Sequence, residues 1–190
     1  MRRLAFRDQQ IRAKPNGHYT ICALVGKGLA RPSAHCRRIS GVHAQAEQWL
    51  DKYDRRAAVI RERLQKRVGE SSIMAIHVMH GQIYRFGRRN LGTVLYNDLQ
   101  LRFAGHSPGN DYEPITFEQL AACNPDKLLA AVSDDPQSAA LWAAVTAKAE
   151  WKELTAVRRG GVYRIKPDPW FDYSALGNER ILNAVDKLFS

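Results

Sequence analysis

Ser72-Ile-Met-Ala-Ile-His-Val-Met79, followed by His80-Gly81 and then Gln82-Ile-Tyr-Arg-Phe86, is the stretch that sets the fold. The first phrase is an apolar run of strand length. His80-Gly81 supplies a two-residue turn, and the second phrase reads as the partner strand of a hairpin that Gly87 ends. If the second strand alternates, Tyr84 and Phe86 share one face and Arg85 takes the other.

Upstream, Ala46, Trp49, Leu50, Tyr53, Ala57, Ile60 and Leu64 recur at spacings of three or four and make one apolar stripe. The spacing predicts a helix over 43–68 with Gly69 as its stop, about 38 Å long at about 1.5 Å per residue. Downstream, Asn90 is a candidate N-cap for a helix carrying Leu91, Val94, Leu95 and Leu99. Residues 104–114 read as a polar loop. Thr116-Phe-Glu-Gln119 resembles a capping box for a short helix, and Asn124-Pro125-Asp126 is a turn. Leu128 to Val132 reads as a buried strand of the parallel type. Asp134-Asp135-Pro136 opens a helix with Pro136 near its first position. Ala156-Val157 and Val162 to Ile165 read as a strand pair across Gly160-Gly161, and a last helix is expected from Gly177 to Phe189. Helices alternating with strands indicate an α/β domain.

Charge divides the chain. The net charge of +10 is concentrated in residues 1–41, which hold nine bases and the single acid Asp8; residues 42–190 hold 20 bases and 18 acids. The body is nearly balanced, so the overall basicity does not argue for a nucleic-acid partner. Residues 1–41 show no sustained period and are broken by Pro15, Gly17, Gly26, Gly28 and Pro32. Their apolar run, Ile21 to Val25, is shorter than the ~7–15 residues of a secretory core. Cys22, Cys36 and Cys123 are odd in number and form no CxxC pair, so unpaired thiols are expected rather than zinc or a disulfide framework. There is no GxSxG, HExxH or GxxxxGK phosphate loop, and no spacing of His, Asp and Ser singles out a triad, so no enzyme is expected.

Four phrases together carry a family resemblance. They are the long helix with Tyr53-Asp54; Tyr84-Arg-Phe-Gly-Arg-Arg-Asn-Leu-Gly-Thr-Val-Leu-Tyr-Asn-Asp-Leu99; Ile115-Thr-Phe-Glu-Gln-Leu with Asn124-Pro-Asp-Lys-Leu-Leu129; and Trp151-Lys-Glu-Leu-Thr-Ala-Val-Arg-Arg-Gly-Gly-Val-Tyr163. In this order they resemble the C-terminal lobe of class III substrate-binding proteins, the iron-siderophore, haem and cobalamin binders of ABC importers. The resemblance implies, over residues 42–190, a single lobe with a central sheet and helices on both faces, preceded by a long linking helix. It implies a ferric siderophore as ligand, an ABC permease as partner, a monomer, no cofactor and no metal ligands of the protein's own. It places such proteins at the cell surface or in the periplasm, whereas the chain as written carries no signal peptide and would stay in the cytoplasm. Residues 1–41 stand where the family has its other lobe, so this segment is expected to be non-native or the product of truncation.

An anionic iron complex calls for cations and ring faces. In folds of this type ligands lie outside the carboxyl ends of the strands, so the candidates follow strand ends. They are His77 and His80 at the end of the first strand, Tyr84, Arg85, Arg88 and Arg89 on the hairpin and its exit, and Trp170 and Tyr173, with Phe171, in a loop broken by Pro167 and Pro169. Relatives commonly carry an arginine near His77, so histidine there weakens the charge contribution at neutral pH. The leading function is binding of an iron-siderophore complex within the substrate-binding component of an ABC iron importer. The alternatives are a cytoplasmic siderophore-sensing domain of an iron-uptake regulator, a nucleic-acid-binding protein using the basic arm, and a non-functional truncated remnant.

Overall fold

The computed structural model describes residues 43–88, 91–105, 112–166, 170–172 and 174–190. A 26-residue helix α1 (His43–Val68) leads into the sheet. Its stripe is buried as the spacing requires: Leu50, Tyr53, Ala57, Ile60, Leu64 and Val68 are all inward, and half-buried Trp49 stacks on Tyr53 with ring centroids 5.4 Å apart. Gly69 ends the helix in the left-handed region, at φ 57°, where glycine pays no Cβ penalty.

Five strands form one sheet: β1 (Ile73–Met79), β2 (Gln82–Phe86), β3 (Tyr112–Ile115), β4 (Lys127–Val132) and β5 (Val162–Ile165), in the order β3-β2-β1-β4-β5. β1 and β2 are the antiparallel hairpin, β3 adds antiparallel to β2, and β1, β4 and β5 run parallel. Parallel neighbours need helical crossovers, which here cover one face of the sheet. These are α2 (Phe117–Cys123), α3 (Pro136–Ala147), α4 (Ala149–Glu153) and α5 (Thr155–Arg158), with α6 (Ala175–Leu188) closing the chain. Period-2 alternation splits the core. Ile73, Ala75, Leu129, Ala131 and Ile165 pack with α1, α6 and a π-helical segment, Thr93–Asp98. Met74, Ile76, Val78, Leu128, Ala130 and Val132 pack with Phe117, Leu120, Val145, Trp151, Leu154 and Ala156.

The helix starts follow their capping chemistry. Thr116 and Gln119 close a reciprocal capping box, Asp135 caps α3 ahead of Pro136, and Ser174 caps α6. Three expectations change. Leu91, Val94, Leu95 and Leu99 are fully buried, but their segment winds as a π-helix, with the Leu99 N–H reaching the Val94 carbonyl; Asn90 lies outside the described residues. The loop expected over 104–114 ends in β3, an edge strand that tolerates Pro114 because its outer side needs no ladder donor. Ala156-Val157 is not a strand but part of α5, with the Gly161 N–H bonding back to the Ala156 carbonyl at 2.6 Å.

Candidate functional site

Register builds the site. His77 sits beside Tyr84 in the hairpin and Phe86 beside Tyr112 in the next pair, so all four side chains emerge on one face of the sheet. Tyr84 and Tyr112 stack with centroids 4.7 Å apart and planes 4° from parallel. Phe171, from the loop after β5, closes the group, 4.5 Å from the His77 ring and 5.3 Å from the Phe86 ring.

His77 is only 7% exposed. Its Nδ1 lies 2.8 Å from the Tyr112 hydroxyl and its Nε2 2.8 Å from the Ser133 hydroxyl. A neutral imidazole offers one donor and one acceptor, so one hydroxyl accepts from the ring and the other donates to it. Burial lowers the His77 pKa and nearby His80 lowers it further, while Asp135 opposes both; the ring is neutral near pH 7. Ser133 follows the carboxyl end of β4, and Tyr112 remains 36% exposed. The result is a partly open aromatic wall bearing hydroxyls, close to the carboxyl ends of β1 and β4. Such a wall offers ring faces and neutral hydrogen bonds.

His80 is exposed at the hairpin tip, in the left-handed region at φ 49°. Nearby, Ser138 donates to the Asp135 carboxylate from both its backbone N–H and its hydroxyl, and these bonds, with a smaller contribution from His80, lower the Asp135 pKa. Arg85 emerges on the opposite face, pairs with Glu113 and lies over the Phe103 ring at 5.3 Å. Arg88 follows the end of β2, which the antiparallel register puts beside the amino end of β1, away from the wall; it donates to Asn97 Oδ1 at 2.8 Å. Trp170 is buried in the core under α1 and α6. Arg89 and Tyr173 lie outside the described residues. The structure therefore joins His77 and Tyr84, keeps His80 at the rim, and separates Arg85, Arg88 and Trp170 from them. Sequence reasoning missed Tyr112 and Ser133. Ser133 could have been found from its place just past a strand's carboxyl end; Tyr112 was hidden in a segment read as loop.

Comparison with known proteins agrees with this architecture. A family described as periplasmic binding protein matches residues 38–169. The chain is 27% identical over 147 residues to the HTH-type transcriptional activator Btr of Bacillus subtilis, covering 77% of this chain and 28% of that one. It is 29% identical over 138 residues to the iron(3+)-hydroxamate-binding protein FhuD of the same organism, covering 68% and 43%. Among solved structures it resembles a FhuD fold-family component of a Fep/Fec-like ferrichrome ABC transporter from B. subtilis, with TM-score 0.67, 25% identity and coverage of 82% and 61%. The fold of the triscatecholate siderophore binding protein FeuA from B. subtilis, solved with ferri-bacillibactin, is also similar, with TM-score 0.67, 22% identity and coverage of 80% and 56%. The chain spans less than half the length of these curated relatives and about three-fifths of these solved chains. With the family matched over most of its length, the chain belongs to the periplasmic binding proteins.

Proposed function

We propose that this chain contributes one wall of a ferric-siderophore-binding cleft, as part of the substrate-binding component of an ABC iron importer at the cell surface or in the periplasm. The observation that carries the reading is the wall itself: Tyr84 stacked on Tyr112, with His77 held between the hydroxyls of Tyr112 and Ser133, near the carboxyl ends of parallel strands. A siderophore already satisfies its iron, so the protein needs only to desolvate and orient the complex. Ring faces and hydroxyls do both. Relatives named for hydroxamate, ferrichrome and bacillibactin complexes support the same ligand class. Arg85 and Arg88, spent on other partners, are set aside from the wall, and His80 stands at its rim.

The test is a tryptophan-fluorescence titration of the chain with iron-loaded ferrichrome, ferrioxamine B and ferri-bacillibactin, alongside Tyr84→Ala and Tyr112→Ala. Saturable quenching is expected with at least one complex, at a Kd of about 1 μM or weaker because one wall leaves much of the ligand in water. Each variant should weaken it about tenfold, the scale of losing one stacked ring. Binding by none of the complexes, or equal binding by both variants, sinks the reading. A second reading, a siderophore-sensing domain of a regulator, is favoured by the match to Btr over 77% of this chain. Cell fractionation separates the two: a sensor stays in the cytosol and an importer component is exported.

A further inference from the structure

We infer that this wall selects electrically neutral ferric complexes, the tris-hydroxamates, over trianionic tris-catecholates. The inference rests on the cleft reading above and adds the ligand's charge class to it. Iron(III) bound by three singly deprotonated hydroxamates has no net charge, whereas three doubly deprotonated catechols leave three negative charges to be compensated. Moving an uncompensated anion out of water is costly, so a catecholate wall needs cations facing the complex.

Among the described residues, the nearby arginines are held by other partners or lie on the other face. Arg85 emerges on the opposite face and is held by Glu113. Arg88 lies at the other end of the hairpin, donating to Asn97. Arg180 faces Asp172 at 3.7 Å, and Arg164 lies over the Trp142 ring at 5.0 Å, against the core face opposite the wall. The wall groups, His77, Tyr84, Tyr112 and Ser133, act as neutral hydrogen-bonding partners, and the His77 ring is biased toward its uncharged form by burial. Among the described residues, the loops after β1, β4 and β5 carry Asp134, Asp135 and Asp172 against His80 and Lys166, with Arg180 of α6 facing Asp172. Among the described residues, a trianion would meet a rim with no excess of positive charge. A neutral hydroxamate complex would meet ring faces for its apolar linkers and hydroxyls for its polarised oxygens.

The full chain is titrated with ferrichrome, a neutral tris-hydroxamate, and with ferri-bacillibactin, a tris-catecholate, at about 0.05 M and about 0.5 M salt, a range over which screening changes strongly. Ferrichrome should bind at least about tenfold more tightly at low salt, and the gap should narrow at high salt as rim repulsion is screened. Asp134→Lys, a change at an exposed rim position beside Ser133, should shift the ratio toward the catecholate by about threefold or more at low salt. Equal or tighter binding of ferri-bacillibactin by the parent chain overturns the charge preference and leaves the cleft reading standing. A ratio unmoved by both salt and Asp134→Lys also overturns it. Failure of both complexes to bind removes the cleft reading, and the preference with it.

Discussion

The place of His77 at a strand end is legible in the sequence, but its partners are not. The two hydroxyls that hold it come from residues 35 and 56 positions away, and no local pattern connects them. The same blindness to long-range partners applies to Asp98. That carboxyl is buried between α1 and the π-helical segment, accepts a 2.8 Å hydrogen bond from the Tyr53 hydroxyl, and has its own carbonyl held by Arg61. Burial, with help from Asp54, raises its pKa from 3.8 to about 6, against the opposing pull of Tyr53 and Arg61. Between those two values the folded chain holds a proton that the unfolded chain has released. The group's contribution to stability is therefore present at low pH and lost as pH rises through about 6. Asp98→Asn keeps an oxygen for Tyr53 and removes the charge. It should be more stable than the parent at neutral pH by about 1–2 kcal/mol, an advantage that shrinks toward pH 4.5. Thermal melts of both chains across that range decide it, and a constant gap between the midpoints would show that Asp98 does not titrate there.

Elements with a strong period or a clear punctuation mark are legible in the sequence: α1 from its stripe, the β1–β2 hairpin from His80-Gly81, α2 and α3 from their caps. The failures have physical causes. β3 is a four-residue edge strand containing a proline, so neither alternation nor β-propensity marks it, and only the free edge of β2 explains it. Ala156-Val157 is a short buried apolar run, and such runs do not distinguish strand from helix. The π-helical segment shows the same limit, since its inward leucines fit more than one winding. Gly92, at its start, makes a close approach that sequence alone could not reveal: a Cβ there would lie 1.6 Å from the Gly87 carbonyl oxygen. Backbone cannot yield to that clash without moving the exit of β2. Gly92→Ala should therefore cost about 2 kcal/mol or more, read as a lowered urea midpoint with an unchanged slope. A neutral result would mean that the hairpin exit and the π-helical segment are free to separate.

At the scale of the molecule, stability rests on the two faces of one sheet. On the α1 side the closure includes Arg63 Nη1 donating to both carboxylate oxygens of Asp186 and a bond from Arg67 to the Phe189 carbonyl, which fasten α1 to α6 around Leu64, Ile181 and Val185. Arg63 is substantially exposed, so that ion pair contributes little beside the apolar burial beneath it. Leu64 has no exposed surface, and Leu64→Ala should cost about 2–5 kcal/mol, because helices pinned on both sides have little room to collapse into the cavity. Residues 1–41 provide the contrast. Both sheet faces are already covered by elements from residue 43 onward, and the charge balance changes at the same boundary. A chain lacking residues 1–41 is therefore expected to keep its thermal midpoint within a few degrees, a change under about 1 kcal/mol, while Leu64→Ala in the same shortened background shows its full loss. Calorimetry on the four chains tests the two claims together. A large drop on removing residues 1–41, or a Leu64→Ala effect that depends on their presence, would mean that this basic segment completes the core over α1.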